Sequence, residues 1–410
     1  MSIIRPFAGL RPPRERVLGV ACPPYDVVST QEARALAQGN PLSFFHVSRP
    51  EIELPASADP HSEPVYALGL ENLKRFCREG TLVADPTPCF YLYRQKMGAH
   101  VQTGLVAAAS VEQYQQGLIK KHELTRADKE DDRTRHIDVL DANDEPVFLT
   151  YRARTDIDAH VERLAARPPT YDFTTDDGIA HAFWVVDGRE DIEALRAMFA
   201  SLPALYIADG HHRSAAASRV RELRRARGRP TGDEEYNFFL AVIFPHDQMQ
   251  ILAYHRVVRD LNGLTPEALL ERVRERFQVE PAQRRESAGL HEFGMYVRGN
   301  WYRLVARDGT FDSRDPVASL DVSVLQQNLL APILGIGDPR TDARIDFVGG
   351  IRGVKELERR VDSGEMGVAF SMFPTRIDQL IAIADAGLIM PPKSTWFEPK
   401  LRSGLVVHAF

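Results

Sequence analysis

Residues 204–217 read ALYIADGHHRSAAA, an apolar run ending in an acid and a glycine, then two histidines, an arginine and an alanine-rich stretch. This order predicts a buried strand that turns sharply through Gly210 into a helix. Such a corner leaves first-turn N–H groups without intrahelical partners. Those groups and the helix dipole favour a bound anion. Gly210 lets a phosphate or carboxylate approach the backbone, His211 and His212 offer ring N–H groups, and Arg213 offers a two-pronged fork. The small run 214–217 lets the helix press closely against a sheet. Asp209 is then a candidate metal ligand or base. In the alternative, Asp209 only caps the helix and the histidines are ordinary polar residues. Zinc chelation by His211 and His212 together is disfavoured, because neighbouring helical residues diverge by about 100°.

With 410 residues the chain has room for two or three units. The elements around the corner suggest three: an N-terminal α+β segment over 1–86, a central core over 87–260 and a C-terminal α+β region over 261–410. Helices are predicted at TQEARALAQ, capped by Ser29 or Thr30, at EPVYALGLENLKRFCREG, closed by Gly80, and at ADKEDDRTRHIDVLDAN. CFYLYRQKM and VQTGLVAAASV read as strands joined by a turn at Gly98, and NFFLAVIFP as another strand. Strands and helices do not alternate regularly, so the fold class is α+β with mixed sheets.

Neither GxGxxG nor GxxxxGK[ST] occurs, which removes the two commonest nucleotide fingerprints. A formal net charge of −6 argues against nucleic acid as a partner. No apolar run is long enough to span a bilayer, and no signal peptide is visible at the N-terminus. Cys22, Cys77 and Cys89 form no CxxC, which fits a reducing cytoplasm. A small-molecule substrate and a cytoplasmic location are therefore expected, with a homo-oligomer left open.

Three further clusters carry chemistry. In IKKHELTRADKEDDRTRH, Lys129, Asp132, Arg133 and His136 share one helix face. That face is either solvated or, through Lys121, His122 and Arg133, a clamp for phosphate oxygens. Glu123 beside it is a candidate base or metal holder. In CPPYDVVS, Asp26 either caps the following turn or supplies a second carboxylate to the site. In MPPKSTWFEPK, Lys393 and Ser394 offer a cation and a hydroxyl on a proline-stiffened loop, or else belong to a structural loop around Trp396 and Phe397.

DGHHRSAA is similar to the glycine-x-x-arginine-x-x-alanine signature of the ParB/sulfiredoxin superfamily, through Gly210, Arg213 and Ala216. It is closer to the Asp-Gly-His-x-Arg form found in free-serine kinases of that superfamily. The resemblance implies a ParB/sulfiredoxin-like phosphate corner and a kinase of free L-serine. ATP, ADP or pyrophosphate would be the donor, with Mg²⁺ held by Asp209. Arg213, His211, His212 and Lys121 would hold the donor, and Asp26 or Glu123 would take the base role that an early acidic residue has in those kinases. Over nearly its full length the chain also resembles a widespread bacterial and archaeal family of unknown function, through RPFAGLRP, PPYDVVS, KKHELTRADKEDDRTRH, IADGHHR and MPPKSTWFEPKLRSGLV. Two alternatives stay open: a hydrolase of a phosphorylated metabolite, and a non-enzymatic nucleotide-binding module.

Overall fold

The computed structural model describes residues 3–410. It divides the chain into two compact units, Met1–Met249 with Pro399–Phe410, and Gln250–Glu398. This differs from the three consecutive segments expected. The N-terminal strand joins the central sheet, and the last twelve residues return to the first unit.

The first unit is built on a nine-stranded mixed sheet. Its strands are β1 (Ile4–Arg5), β2 (Phe90–Met97), β3 (His100–Ser110), β4 (Ile119–Lys120), β5 (Val147–Tyr151), β6 (Tyr171–Thr174), β7 (Ala180–Val186), β8 (Leu205–Asp209) and β9 (Phe238–Pro245). Their order is β4-β8-β5-β9-β3-β2-β7-β6, with β1 on β3. The β4–β8 and β5–β9 pairs are parallel and the others antiparallel. The helices of eight or more residues in this unit are α1 (Thr30–Ala37), α2 (Glu63–Arg78), α3 (Ala127–Leu140), α4 (Thr155–Ala165), α5 (Arg189–Ala200) and α6 (His211–Arg227). Local signals explain several of them. Ser29 and Glu32 close a capping box on α1. Gly98, at φ +60°, turns β2 into β3.

The strand-to-helix corner forms as the sequence predicts. A β-bulge between Ile207 and Asp209 shifts the register of β8 against β5, so that Asp209 pairs with Phe148, and re-aims the Asp209 side chain. Gly210 follows at φ +95°, a conformation that favours glycine, and α6 starts at His211. Gly210, not Asp209, is the N-cap residue of α6. Ala215 and Ala217 pack into the apolar core with Val147, Leu149 and Ile207. Ala216 packs with Ile137 of α3.

The tail 399–410 is stitched to the first unit. Ser403 and Cys22 exchange backbone hydrogen bonds, as do Val407 and Leu10. Gln95 Nε2 donates to the Lys400 carbonyl over 2.8 Å. Gly404 lies at φ +84°, where an added Cβ would sit 2.8 Å from Phe44 Cβ.

The second unit holds a six-stranded antiparallel sheet. Its strands are β10 (Tyr254–Val258), β11 (Phe277–Pro281), β12 (Glu292–Val297), β13 (Asn300–Ala306), β14 (Ile345–Gly349) and β15 (Val368–Ser371). Their order is β11-β13-β12-β15-β10-β14. Among the described residues no helix is long and apolar enough to cross a membrane.

Gly404 and Gly98 both have positive φ, so replacing either by alanine strains the backbone. Only Gly404 also meets a packed side chain, whereas Gly98 has nothing within 4 Å. Chemical denaturation is expected to show Gly404→Ala less stable than Gly98→Ala by about 1–3 kcal/mol. Equal losses would mean that the tail is not packed as described.

Candidate functional site

Arg213 leaves the first turn of α6 and is buried at 7% exposure. Its Nη1 donates to the Pro146 carbonyl and its Nη2 to Asp26 Oδ2, each over 2.7 Å. Nε lies 3.6 Å from Glu145 Oε2, and neither of these two buried atoms has a hydrogen-bond partner. The fork expected to face a phosphate is thus turned onto protein oxygens. Asp26, on the short turn Tyr25–Val27, is the partly exposed member of the set.

Glu145 supports the same network. Its Oε1 accepts the Tyr25 backbone N–H at 3.0 Å and the Ser403 hydroxyl at 2.9 Å. Burial pushes the Glu145 carboxyl up to about 7, against the pull of Arg213 and with a further push from Asp144 and Asp26. Tyr25, Arg133, Asn143, Asp144, Glu145 and Arg213 line one small internal cavity.

The polar face of α3 is buried, not solvated. Asp132 accepts from Tyr66 and His61 and pairs with Arg133 Nε at 2.8 Å. His136 Nε2 lies 2.9 Å from Asp144 Oδ2. Arg133 lies over the Tyr25 ring, 4.2 Å from its centroid, so its charge is already engaged by an aromatic face as well as by Asp132. Lys129 is the exposed exception.

The metal expected at Asp209 meets a lysine there instead. Lys400 Nζ lies 2.9 Å from Asp209 Oδ2, and the Gly210 N–H donates to Oδ1 over 2.8 Å. Burial alone would raise the Asp209 acid. Lys400, then Arg213 and the Gly210 N–H, outweigh it and hold the group below the usual carboxylate range. Magnesium prefers a set of oxygen ligands, and Asp209 belongs to no cluster of three or more metal-ligating side chains among the described residues. The residues at Asp209 therefore do not fit that ion.

The two histidines diverge as helical geometry requires. His212 is half-buried, and its Nε2 accepts the Arg126 backbone N–H at 3.1 Å. His211 points to His122, ring centroids 4.5 Å apart, with Glu123 beside them. Burial pushes His122 down to about 4. Burial, and then His122, push His211 well below its ordinary value. Lys121 lies over the Tyr114 ring, 4.2 Å from its centroid.

The structure thus brings Asp26, Glu123, His122, Asp209, Gly210, His211, His212 and Arg213 to one corner of the first unit. Lys393 and Ser394 belong to the second unit. There the Lys393 carbonyl accepts from Arg256, and the Ser394 hydroxyl donates to the Pro391 carbonyl over 2.6 Å. Sequence reasoning missed Lys400 and Glu145. Lys400 closes the MPPKSTWFEPK string, so a basic residue was in view there, but nothing local pointed it at Asp209.

Glu145 makes stability depend on pH. Its acid has an ordinary value of 4.5 and a folded value of about 7. Between these the folded state binds more protons, so stability falls as pH rises, by up to about 1.4 kcal/mol per pH unit. Glu145→Gln keeps a carbonyl acceptor and has no such proton to lose. Denaturation from pH 4.5 to 7.5 is expected to show the variant gaining on wild type across that window. Parallel curves would place Glu145 outside this environment.

The family described as "Protein of unknown function (DUF1015)" matches residues 4–323, and the chain belongs to it. No curated protein matches the chain. Among solved structures it is similar to a free serine kinase in complex with AMP, at 12% identity and a TM-score of 0.35, over 74% of this chain and 92% of that one. It is similar to SbnI with a C-terminal truncation from Staphylococcus aureus, at 12% identity and a TM-score of 0.39, over 74% and 87% of the two chains. A conserved hypothetical protein from Pyrococcus furiosus has 12% identity and a TM-score of 0.34, over 74% and 95%.

Proposed function

We propose that this DUF1015 member is a small-molecule phosphotransferase that phosphorylates the hydroxyl of free L-serine, with ATP, ADP or pyrophosphate as donor. The observation that carries the reading is the meeting of Asp26 with Arg213 beside the strand-to-helix corner at Gly210. A partly exposed carboxylate there stands next to a helix start suited to phosphate. The Asp-Gly-His-x-Arg resemblance of residues 209–213 supports the acceptor.

In this reading the first-turn N–H groups of α6 and the half-buried His212 hold the transferring phosphoryl group. Arg213 fixes one oxygen of Asp26 and so orients the carboxylate. The serine hydroxyl attacks phosphorus, its proton passes to Asp26, and the shortened donor leaves with the electrons of the broken P–O bond. Positioning and charge neutralisation supply most of the catalysis of such a transfer. The Lys400–Asp209 pair holds the bulged end of β8 in place.

The test is a ³¹P NMR assay of the purified protein with Mg²⁺, L-serine and each donor in turn, and with phosphoserine alone. Phosphoserine is expected with one of the donors. Asp26→Asn keeps an oxygen for Arg213 and cannot take the proton, so its rate should fall about 10²–10⁴-fold. The buried guanidinium loses a charge partner, so stability falls as well and the rate is compared for folded protein checked by circular dichroism. Phosphate released from phosphoserine alone would replace the kinase with a hydrolase. No turnover by folded protein, or a wild-type rate in Asp26→Asn, would overturn the proposal.

A further inference from the structure

His122 follows the edge strand β4, and His211 opens α6. Their rings meet edge to face at 89°. His122 is 2% exposed, and neither of its ring nitrogens has a hydrogen-bond partner. A buried, unsatisfied polar group is expensive and calls for a cause. The Ile207 carbonyl acts on this ring, but without the geometry of a hydrogen bond. His211 is held only loosely. Its Nε2 is 3.5 Å from the His122 backbone N–H, and its Nδ1 is 3.8 Å from Glu123 Oε2. One nitrogen of each ring and one Glu123 oxygen all lie within 4.8 Å of one another.

We infer that His122, Glu123 and His211 form a binding site for one divalent transition-metal ion of the zinc class. Two imidazoles and a carboxylate are the donor set of three-ligand zinc sites that keep a fourth position open. Tetrahedral coordination at these bond lengths sets ligand atoms about 3.3 Å apart, so the widest pair closes by roughly 1.5 Å through side-chain rotation. Imidazole ligands select zinc or cobalt over magnesium, which takes oxygen. The Glu123 side chain is 42% exposed, which leaves the open position reachable from solvent for a water or a phosphoryl oxygen. The Arg126 N–H to His212 bond ties the loop carrying His122 and Glu123 to the helix carrying His211. This site goes beyond the phosphotransfer reading and does not depend on it.

The test uses the untagged full chain, stripped with chelator and titrated with Co²⁺ in the absence of donor or serine. Visible ligand-field absorption of tetrahedral type is expected to saturate at one Co²⁺ per chain. Equimolar Zn²⁺ should abolish it, and excess Mg²⁺ should leave it unchanged. Glu123→Gln alters a partly exposed side chain and should weaken binding at least about 10-fold. His122→Asn, with folding checked by circular dichroism, should abolish it. Absence of stoichiometric binding, displacement by Mg²⁺, or unchanged affinity in Glu123→Gln would overturn the inference. The Glu123 variant decides the matter even where the His122 variant fails to fold.

Discussion

The buried guanidinium of Arg213 is the constraint on which this corner of the protein depends. A charge taken out of water must be met by opposite charge and hydrogen-bond acceptors. The protein meets it with three residues from two places in the chain: Asp26 near the N-terminus, and Glu145 and the Pro146 carbonyl just before β5. Glu145 then reaches Tyr25 and Ser403 and so enrols the C-terminal tail. Removing one partner would leave charge stranded in a poorly solvated pocket, which costs far more than an exposed ion pair is worth. The N-terminal segment and the tail are bound into one unit with the central sheet for this reason, in addition to strand pairing.

The corner itself places two kinds of environment side by side. On one side of α6, Arg213, Asp26 and Asp209–Lys400 form a network of paired charges. On the other, His122 and His211 are pressed together with burial as the dominant influence on both. One helix start serves both because successive side chains on it point about 100° apart. The bulge before Asp209 and the left-handed Gly210 set where each side chain points.

Much of this was legible locally. The strand-to-helix corner, the capped helix after Ser29, the hairpin at Gly98 and the close-packed alanines all follow from patterns within a few residues. What was hidden depends on partners distant in sequence. The face of α3 carrying Asp132, Arg133 and His136 looks like a solvated helix, and its burial is decided by Tyr66, Tyr25 and Asp144. The pairing of Asp209 with Lys400 spans 191 positions, and no spacing rule announces it. The fork of Arg213 is legible as a double donor, but its acceptors, the Pro146 carbonyl and Asp26, come from distant parts of the chain. The His122–His211 contact has no local signature, because one imidazole comes from the loop after β4 and the other from the start of α6.

The central claim is that the Gly210 corner receives a phosphate-bearing ligand. Spectra of the protein with ¹⁵N-labelled histidine, recorded through a titration with ADP, test it directly. The account predicts that the ring signals of His212, and of His211 beside it, shift in parallel with a single saturating curve, while a ring far along the same sheet, such as His181 on β7, stays fixed. Saturable ADP binding that leaves the His211 and His212 signals unmoved would contradict it, as would the absence of any binding.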